Sequence, residues 1–181
     1  MAENPKNQLF QRHNTSFGAT TVTGNLAATS AGAVSQTGAL AVTGTSSVNA
    51  GANDITFTNA NNDFTGALAL TGGITQVNDV NALTATLAGT KATTITAGGD
   101  LAISGTASSL VTTTTGTGKT SFGATSLTIG LNAASAGAIT QTGPIVAGGL
   151  SRINAGANDV TLTNAGNDFK SAVTITAGSV R

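Results

Sequence analysis

The sequence has no cysteine, tryptophan or tyrosine, and only 2 of its 181 residues are proline. Without cysteine the chain cannot form disulfide bonds, thiolate zinc sites or a cysteine nucleophile. Its 6 phenylalanines are the only aromatic residues, so Val, Ile, Leu and Ala must fill most of the interior. Because proline is so rare, almost every backbone amide is free to donate a hydrogen bond within a sheet.

Charge is also scarce. Charged residues make up 8% of the chain and the formal net charge is zero, so there is no basic surface for nucleic acid and we expect no nucleic-acid partner. The mean hydropathy of +0.18 is too high for a disordered chain. No apolar run approaches the roughly 20 residues of a membrane-spanning helix. Residues 1–14 are polar and lack the apolar stretch of a secretory signal peptide, and we expect them to form an arm or a cap.

A duplication dominates the rest of the chain. Residues 14–76 align without a gap with residues 119–181, at an offset of 105, and 34 of the 63 paired positions are identical. The segments SFGAT, SAGA, QTG and NAGAND recur in both copies. Shorter echoes within the unit, such as TGALAVTG and TGALALTG, indicate an elementary coil of about 20 residues and therefore about five coils in each unit.

Within each echo, hydroxyl and apolar residues alternate with a period of two. Examples are TFT at 56–58, TIT at 94–96 and TIT at 174–176, a pattern typical of half-buried strands. Gly, Asn and Asp end these segments and favour tight turns. A propeller would show aromatic signatures at a period of 40 to 50 residues, which this chain lacks. The pattern predicts an all-β fold, a right-handed parallel β-helix (β-solenoid) that covers residues 15–181 as one domain, with almost no helix.

Large apolar residues at equivalent positions of the two copies are predicted to fill the core of this solenoid. Most of them are retained, or exchanged for another apolar residue, between the copies. The predicted core residues are Phe17, Val34, Ile55, Phe57, Phe64, Phe122, Ile139, Val160, Leu162 and Phe169.

The recurrent Asn and Asp residues are predicted to be structural, as turn residues and as ladders of side-chain amides that bond from one coil to the next. Calcium binding by the aspartates is the alternative, but each follows Asn in a turn-forming dipeptide and the Gly-Gly-x-Gly-x-Asp calcium repeat is absent. We therefore expect no metal and no cofactor. The predicted turn and ladder residues are Asn49, Asn53, Asp54, Asn59, Asn62, Asp63, Asn154, Asn158, Asp159, Asn164, Asn167 and Asp168.

Two long blocks carry a resemblance to a known family: AGAVSQTGALAVTGTSSVNAGANDITFTNANNDFTGALALTGG and AGAITQTGPIVAGGLSRINAGANDVTLTNAGNDFKSAVTITAG. They resemble the β-helical shaft repeats of large bacterial filamentous-haemagglutinin-like exoproteins, over about residues 15–181. The resemblance implies a parallel β-helix, secretion across the outer membrane, and surface adhesion or fibre formation. The implied partners are a host or cell-surface ligand, or further copies of the chain stacked end to end. The resemblance carries over no catalytic residue.

Three other patterns compete with this interpretation. The segment GTGKT at 116–120 resembles the end of a phosphate-binding loop, but a β pattern follows it where a helix should begin. The only histidine, His13, lies in the polar arm, so we expect no enzyme. Repeated Thr-x-Thr spacing leaves an ice-binding surface as one alternative to a structural shaft. The other is a head-to-tail fibre subunit, because repeat sequence continues to Arg181.

Overall fold

The structure, a computed structural model, describes residues 6–11, as main chain, and residues 13–181. This part of the chain forms short strands and no helix, and so contains no helix that could cross a membrane. Residues 1–5 and 12 of the predicted arm lie outside the described residues. The strands are β1 Lys6–Gln11, β2 Thr15–Phe17, β3 Thr20–Val22, β4 Asn25–Ser30, β5 Val34–Gln36, β6 Leu40–Val42, β7 Ser46–Asn49, β8 Ile55–Phe57, β9 Asp63–Phe64, β10 Leu68–Gly72, β11 Thr75–Asp79, β12 Leu83–Gly89, β13 Thr93–Ala97, β14 Leu101–Thr114, β15 Thr120–Ala134, β16 Ile139–Gln141, β17 Ile145–Ala147, β18 Ser151–Asn154, β19 Asp168–Phe169 and β20 Val173–Thr176.

Each strand pairs in parallel with a strand one coil further along the chain. The shortest step in the ladder is 17 residues, from Thr93 to Leu110, and the longest is 22 residues, from Ser46 to Leu68. The coils stack as a β-solenoid of about 8 turns. The predicted all-β parallel β-helix is therefore confirmed.

Two long columns of paired strands form the wall of the solenoid. Column 1 contains β1, β4, β7, β10 and β12, then the first parts of β14 and β15, and then β16. Column 2 contains β2, β5, β8, β11 and β13, then the last parts of β14 and β15, and then β18 and β20. The chain passes from one column to the other twice in every coil, so the cross-section has two connecting sides.

The two copies of the duplicated unit occupy these columns differently. Along column 2 the register leads from Thr15 by successive partners to Leu110 and then to Leu131. Leu131 is the counterpart of Leu26, which lies in column 1. One unit of 105 residues therefore spans about five and a half coils, and the second copy is turned by about half a coil around the solenoid axis.

This half-coil turn places equivalent strands on opposite sides of the molecule. In the first copy, β3, β6 and β9 form a short sheet where the chain passes from column 2 to column 1. Their counterparts in the second copy are the middle of β15, β17 and β19, which lie where the chain passes from column 1 to column 2. A surface feature of one copy therefore has its counterpart on the opposite side of the solenoid.

The core is a set of stacks that combine large and small side chains. One stack in column 1 follows the register from Leu68 through Ala85 and Ile103 to Phe122, all buried. A small residue such as Ala85 leaves room for the side chains of the coils next to it, whose backbones lie only about 4.8 Å apart. Eight of the predicted core residues are buried in this cluster: Phe17, Val34, Ile55, Phe57, Phe64, Phe122, Ile139 and Val160.

Leu162 and Phe169 differ from that prediction, because they are only partly buried against the core. Their counterparts in the first copy, Phe57 and Phe64, are both 0% exposed. The physical reason is that a further coil packs over Phe57 and Phe64, whereas Leu162 and Phe169 belong to the last described coil. Burial at a repeat position therefore depends on the next coil as well as on the side chain.

Gly105 shows how closely the coils approach each other. It has a φ of 108° and lies at a register irregularity in β14, and a Cβ atom added there would overlap the carbonyl oxygen of Leu87 on the preceding coil. We predict that Gly105→Ala lowers the free energy of unfolding by about 2 to 4 kcal/mol, because it combines an unfavourable φ with a clash against backbone.

The matched control is Gly24→Ala. Gly24 has open space around its Cβ direction and no positive φ, and its counterpart Ile129 carries a full side chain, so its unfolding free energy should change by no more than about 0.5 kcal/mol. Urea-induced unfolding monitored by circular dichroism measures both variants. Equal destabilisation by the two variants would contradict the close-approach interpretation.

Candidate functional site: the corners and outward faces of the coils

A pair of amide side chains, Gln36 with Asn62, links neighbouring coils in the first copy, and we call it the amide clamp. Gln36 Nε2 donates to Asn62 Oδ1 at 2.7 Å, and Asn62 Nδ2 donates to Gln36 Oε1 at 2.9 Å. Asn62 Oδ1 also accepts from the Leu40 amide, and its Nδ2 lies within hydrogen-bond distance of the Phe57 and Asn78 carbonyl oxygens. Asn62 is 0% exposed, so this one side chain satisfies polar backbone groups on three successive coils.

The second copy repeats the clamp with Gln141 and Asn167. The two side chains exchange hydrogen bonds of 2.8 and 2.9 Å, and Asn167 bonds to the Ile145 amide and the Leu162 carbonyl oxygen. Asn167 is only partly buried, because it lies in the last described coil. Through the half-coil turn, the two clamps lie on opposite sides of the solenoid.

The other predicted Asn residues stabilise turns. Asn49 Oδ1 accepts from the Gly51 amide at 2.8 Å, and Asn59 Oδ1 accepts from the Asn61 amide at 2.9 Å. Asn154 and Asn164 make the same bonds in the second copy. These are Asx turns, in which a side chain replaces a backbone acceptor two residues before the donor.

Asn53 connects its own turn to the preceding coil. Its Nδ2 donates to the carbonyl oxygens of Ala50, at 2.9 Å, and Ala31, at 3.2 Å. Asn158 repeats this arrangement with the carbonyl oxygens of Ala155 and Ala136. These two residues therefore tie each turn to the coil beneath it.

The predicted ladders, in which the recurrent asparagines bond to one another from coil to coil, are not present among the described residues, and that prediction was wrong: the amide partner of Asn62 and Asn167 on a neighbouring coil is a glutamine. Asn49, for example, pairs with Thr29 on the preceding coil and with Thr71 on the following one, so no second amide lies above or below it. The reason is that the asparagines recur once per duplicated unit rather than once per coil. The hydrogen-bond partners of the asparagines are mostly backbone amides and carbonyl oxygens, which are present in every coil whatever its side chains.

The four predicted aspartates make different contacts, and only one of them bonds to a backbone amide. Asp54 Oδ1 accepts from the Ile74 amide of the next coil and lies 3.7 Å from Lys91 Nζ. Asp63 Oδ1 accepts from the Thr65 hydroxyl and from Asn81 Nδ2. Asp168 pairs with Lys170 at 2.5 Å, and Asp159 is exposed. Turn capping, the predicted role, therefore does not describe Asp63 or Asp168. No described cluster of three or more His, Asp or Glu side chains could hold a metal ion.

Asp79 is a buried carboxylate that the sequence analysis missed. It is 4% exposed, and its two oxygens accept from the amides of Phe64, at 2.8 Å, and Asn81, at 3.2 Å. Burial raises the pKa of Asp79 above 3.8, the two backbone hydrogen bonds oppose that rise, and the charge of Asp63 adds to it. Gln36 and Gln141 were missed as well, although the recurrent segment QTG marked both of them.

The segment GTGKT at 116–120 does not form a phosphate-binding loop. The Gly118 amide donates to the Thr115 carbonyl oxygen, and the Lys119 amide donates to Asp100 Oδ1. Phosphate binding needs several such amides free to point at the ligand, and strand β15 follows the segment where a helix would be required.

The outward face of column 2 carries mixed polar residues. Thr-x-Thr pairs occur at 56–58, 94–96 and 174–176, but the intervening coils carry Gln76 with Asn78, Val111 with Thr113, and Arg152 with Asn154. Hydroxyl rows on this described face are therefore interrupted by one coil after 56–58 and by three successive coils after 94–96, one of which carries Asn132 with Ala134, and they do not make a regular threonine lattice.

A family model for "Repeats of unknown function (DUF5649)" matches residues 7–71 and 107–176. The two matched segments end at Thr71 and Thr176, which are equivalent positions of the duplication, and together they cover most of the chain. The chain belongs to this family. No curated protein and no solved structure matches it. In this chain, two DUF5649 repeats thus share one solenoid and are related by a half-coil turn.

We predict that Asn62→Ala in the first DUF5649 repeat lowers the free energy of unfolding by about 3 to 5 kcal/mol, because it leaves buried amide and carbonyl groups on neighbouring coils without partners. Asn167→Ala is the matched control. It removes the same clamp at a partly buried position, so its cost should be about 1 to 2 kcal/mol. Chemical denaturation of both variants provides the comparison. An equal effect at the two positions would show that burial by the next coil does not strengthen the clamp.

Asp79 generates a prediction about pH. Because its folded-state pKa is raised, the stability that its protonated form contributes is fully present below pH 3.8 and is lost as the pH rises through the folded-state value. The unfolding free energy of the wild type minus that of Asp79→Asn should therefore be larger at pH 3 than at pH 7. Denaturation curves at both pH values measure it, with the exposed Asp159→Asn as control. A difference that is the same at both pH values would contradict the prediction.

Proposed function

We propose that this chain is a non-catalytic shaft segment of an extracellular bacterial adhesin or filament. The observation that supports the proposal most strongly is the use of its polar side chains. The amide clamps, the Asx turns and Asp79 bond to the backbone of their own or a neighbouring coil, so these groups hold the rod together rather than converge on a cavity. The resemblance to filamentous-haemagglutinin-like shaft repeats supports the extracellular setting and the absence of an enzymatic role.

The last described coil exposes side chains whose first-copy counterparts are buried. Val173 is 39% exposed and Val180 is 55% exposed, whereas their first-copy counterparts Leu68 and Thr75 are 0% and 2% exposed. In the first copy, strand β12 covers Leu68 and strand β13 covers Thr75. A further coil of the same repeat, continuing the rod, fits this surface because it already fits the equivalent one.

The half-coil turn allows units to be added without limit, because each copy is related to the next by the same rotation and rise. We predict that a chain with residues 77–181 repeated after Arg181 folds as a longer rod of the same width. Its length should increase by about 26 Å, since about five and a half coils each add about 4.8 Å. Small-angle X-ray scattering measures both the maximum dimension and the cross-section.

Two outcomes would contradict this proposal. One is a maximum dimension that fails to grow while the cross-section widens, which would mean that the added unit folds back on the first. The other is a location inside the cell, tested by antibody labelling of intact cells that produce the native protein. The head-to-tail fibre remains the second candidate, since the same exposed coil would receive the first coil of another molecule. Filaments of the 181-residue chain in electron micrographs would favour it over the continuous shaft.

A further inference from the structure

The two DUF5649 repeats differ at one outward corner of the solenoid. Where the first copy has Gly24 and Thr45, the second has Ile129 and Leu150. These two aliphatic side chains are 59% and 53% exposed. The backbone supports small polar residues at this corner in one copy, so the fold itself does not require large apolar ones in the other. The second copy therefore exposes two apolar side chains that the fold does not require.

Ile129 and Leu150 line a groove of about 290 Å³. Val111 and Gly130 also line it, and Gly130 contributes no side chain to fill the space. Arg152 completes the groove and replaces Ser47 of the first copy. Arg152 is exposed and forms no ion pair with any described residue. The groove thus combines an apolar lining with one unpaired guanidinium group. A matching partner must present an aliphatic side chain beside a carboxylate.

The same chain carries such a feature at Val80, which is 49% exposed. Asn81, which follows Val80 in the chain, donates a hydrogen bond from its side-chain Nδ2 to Asp63 Oδ1 at 3.0 Å. On the following coil, the Gly99 amide donates to the Asn81 carbonyl oxygen at 2.8 Å, which places Asp100 directly beyond it. Neither Asp63 nor Asp100 forms an ion pair with a Lys or Arg side chain among the described residues, although Asp100 accepts a hydrogen bond from the Lys119 backbone amide. We call Val80, Asp63 and Asp100 the acidic knob.

The groove and the acidic knob flank the same column of strands. Val80 directly follows β11 in column 2, and Gly130 directly precedes the column 2 part of β15. Apart from Arg152, the outward residues of column 2 at the register of Thr94 are uncharged: Ser16, Ser35, Thr56, Gln76, Thr94, Val111, Asn132 and Thr174. This register of the face therefore adds no like-charge repulsion between two copies, and Arg152 is the one cation in it.

We propose that the groove is a docking surface for a second copy of this chain, which inserts Val80 and brings Asp63 and Asp100 next to Arg152. The groove and the knob are different patches, so the contact is heterologous and every pair retains one free groove and one free knob. Solenoids joined in this way form staggered side-by-side ribbons. This lateral contact does not depend on the shaft proposal, because it involves neither end of the rod.

The test uses two variants that each keep one half of the contact. The groove variant, Ile129→Gly with Leu150→Thr and Arg152→Ser, takes the residues that the first copy carries at these positions, so the fold tolerates them. The knob variant is Val80→Thr with Asp63→Asn and Asp100→Asn, which retains the amide side-chain oxygens as hydrogen-bond acceptors. Sedimentation velocity at protein concentrations up to about 1 mM detects weak contacts of this small size.

We expect concentration-dependent association of the wild type and at least a ten-fold larger dissociation constant for each variant alone, equivalent to about 1.4 kcal/mol. Mixing the two variants should restore association but stop it at a one-to-one pair, because only one intact groove and one intact knob remain. Raising the salt concentration should weaken the pair.

Three results would overturn the proposal: a wild type that stays monomeric throughout, variants that associate as tightly as the wild type, or a mixture of variants that fails to pair. Circular dichroism of each variant confirms that loss of association is not loss of fold. A shaft that keeps its scattering length while failing to pair would remove the lateral contact and leave the shaft proposal intact.

Discussion

The parallel hydrogen-bonded ladder between successive coils is the constraint on which the rest of this structure depends. It holds each backbone about 4.8 Å from the next, so every side chain lies directly between the residue one coil below and the residue one coil above. The small residue Ala85, for example, lies between the large residues Leu68 and Ile103 of the neighbouring coils. Gly105 meets the same limit in its extreme form, since there is no room for even one methyl group against the Leu87 carbonyl oxygen.

The ladder leaves backbone groups unpaired at the corners, where the strands end. Polar side chains form hydrogen bonds with these groups. Asn62 bonds to three coils from a fully buried position, and Asn53 and Asp54 each reach a backbone group of a neighbouring coil. Buried backbone groups without partners are costly, so these residues stabilise the stacking itself. Their chemistry is consistent with a structural role, because it is directed along the solenoid axis rather than toward a shared cavity.

The half-coil turn between the two repeats determines where equivalent residues lie on the surface of the solenoid. If one unit spanned a whole number of coils, equivalent residues would lie above one another and form continuous stripes. Instead the amide clamps lie on opposite sides, and the corner of Gly24 and Thr45 is opposite that of Ile129 and Leu150. Divergence at a single corner can therefore create one isolated patch, such as the groove beside Arg152, without extending along the rod.

The duplication, the alternation of hydroxyl and apolar residues, and the Gly and Asn turns were enough to predict a parallel β-helix and most of its core, because these patterns express contacts that recur in every coil. Residues whose environment depends on a particular neighbour were not predictable in this way. The asparagines were assigned to ladders, yet Asn49 lies between Thr29 and Thr71. Leu162 and Phe169 were assigned to the core, yet no described coil covers them.

Asp79 was assigned no role from the sequence, and only the structure places its carboxylate between the backbone amides of Phe64 and Asn81. The sequence by itself thus determined the solenoid and the inward positions, since the period-two pattern fixes which residues share a face, and a short repeat without aromatic signatures favours stacked coils. Only the tertiary structure decided the register between coils, and with it the half-coil turn, the clamps and the groove. Register depends on the small variations in coil length, which accumulate over many coils and leave no local signal.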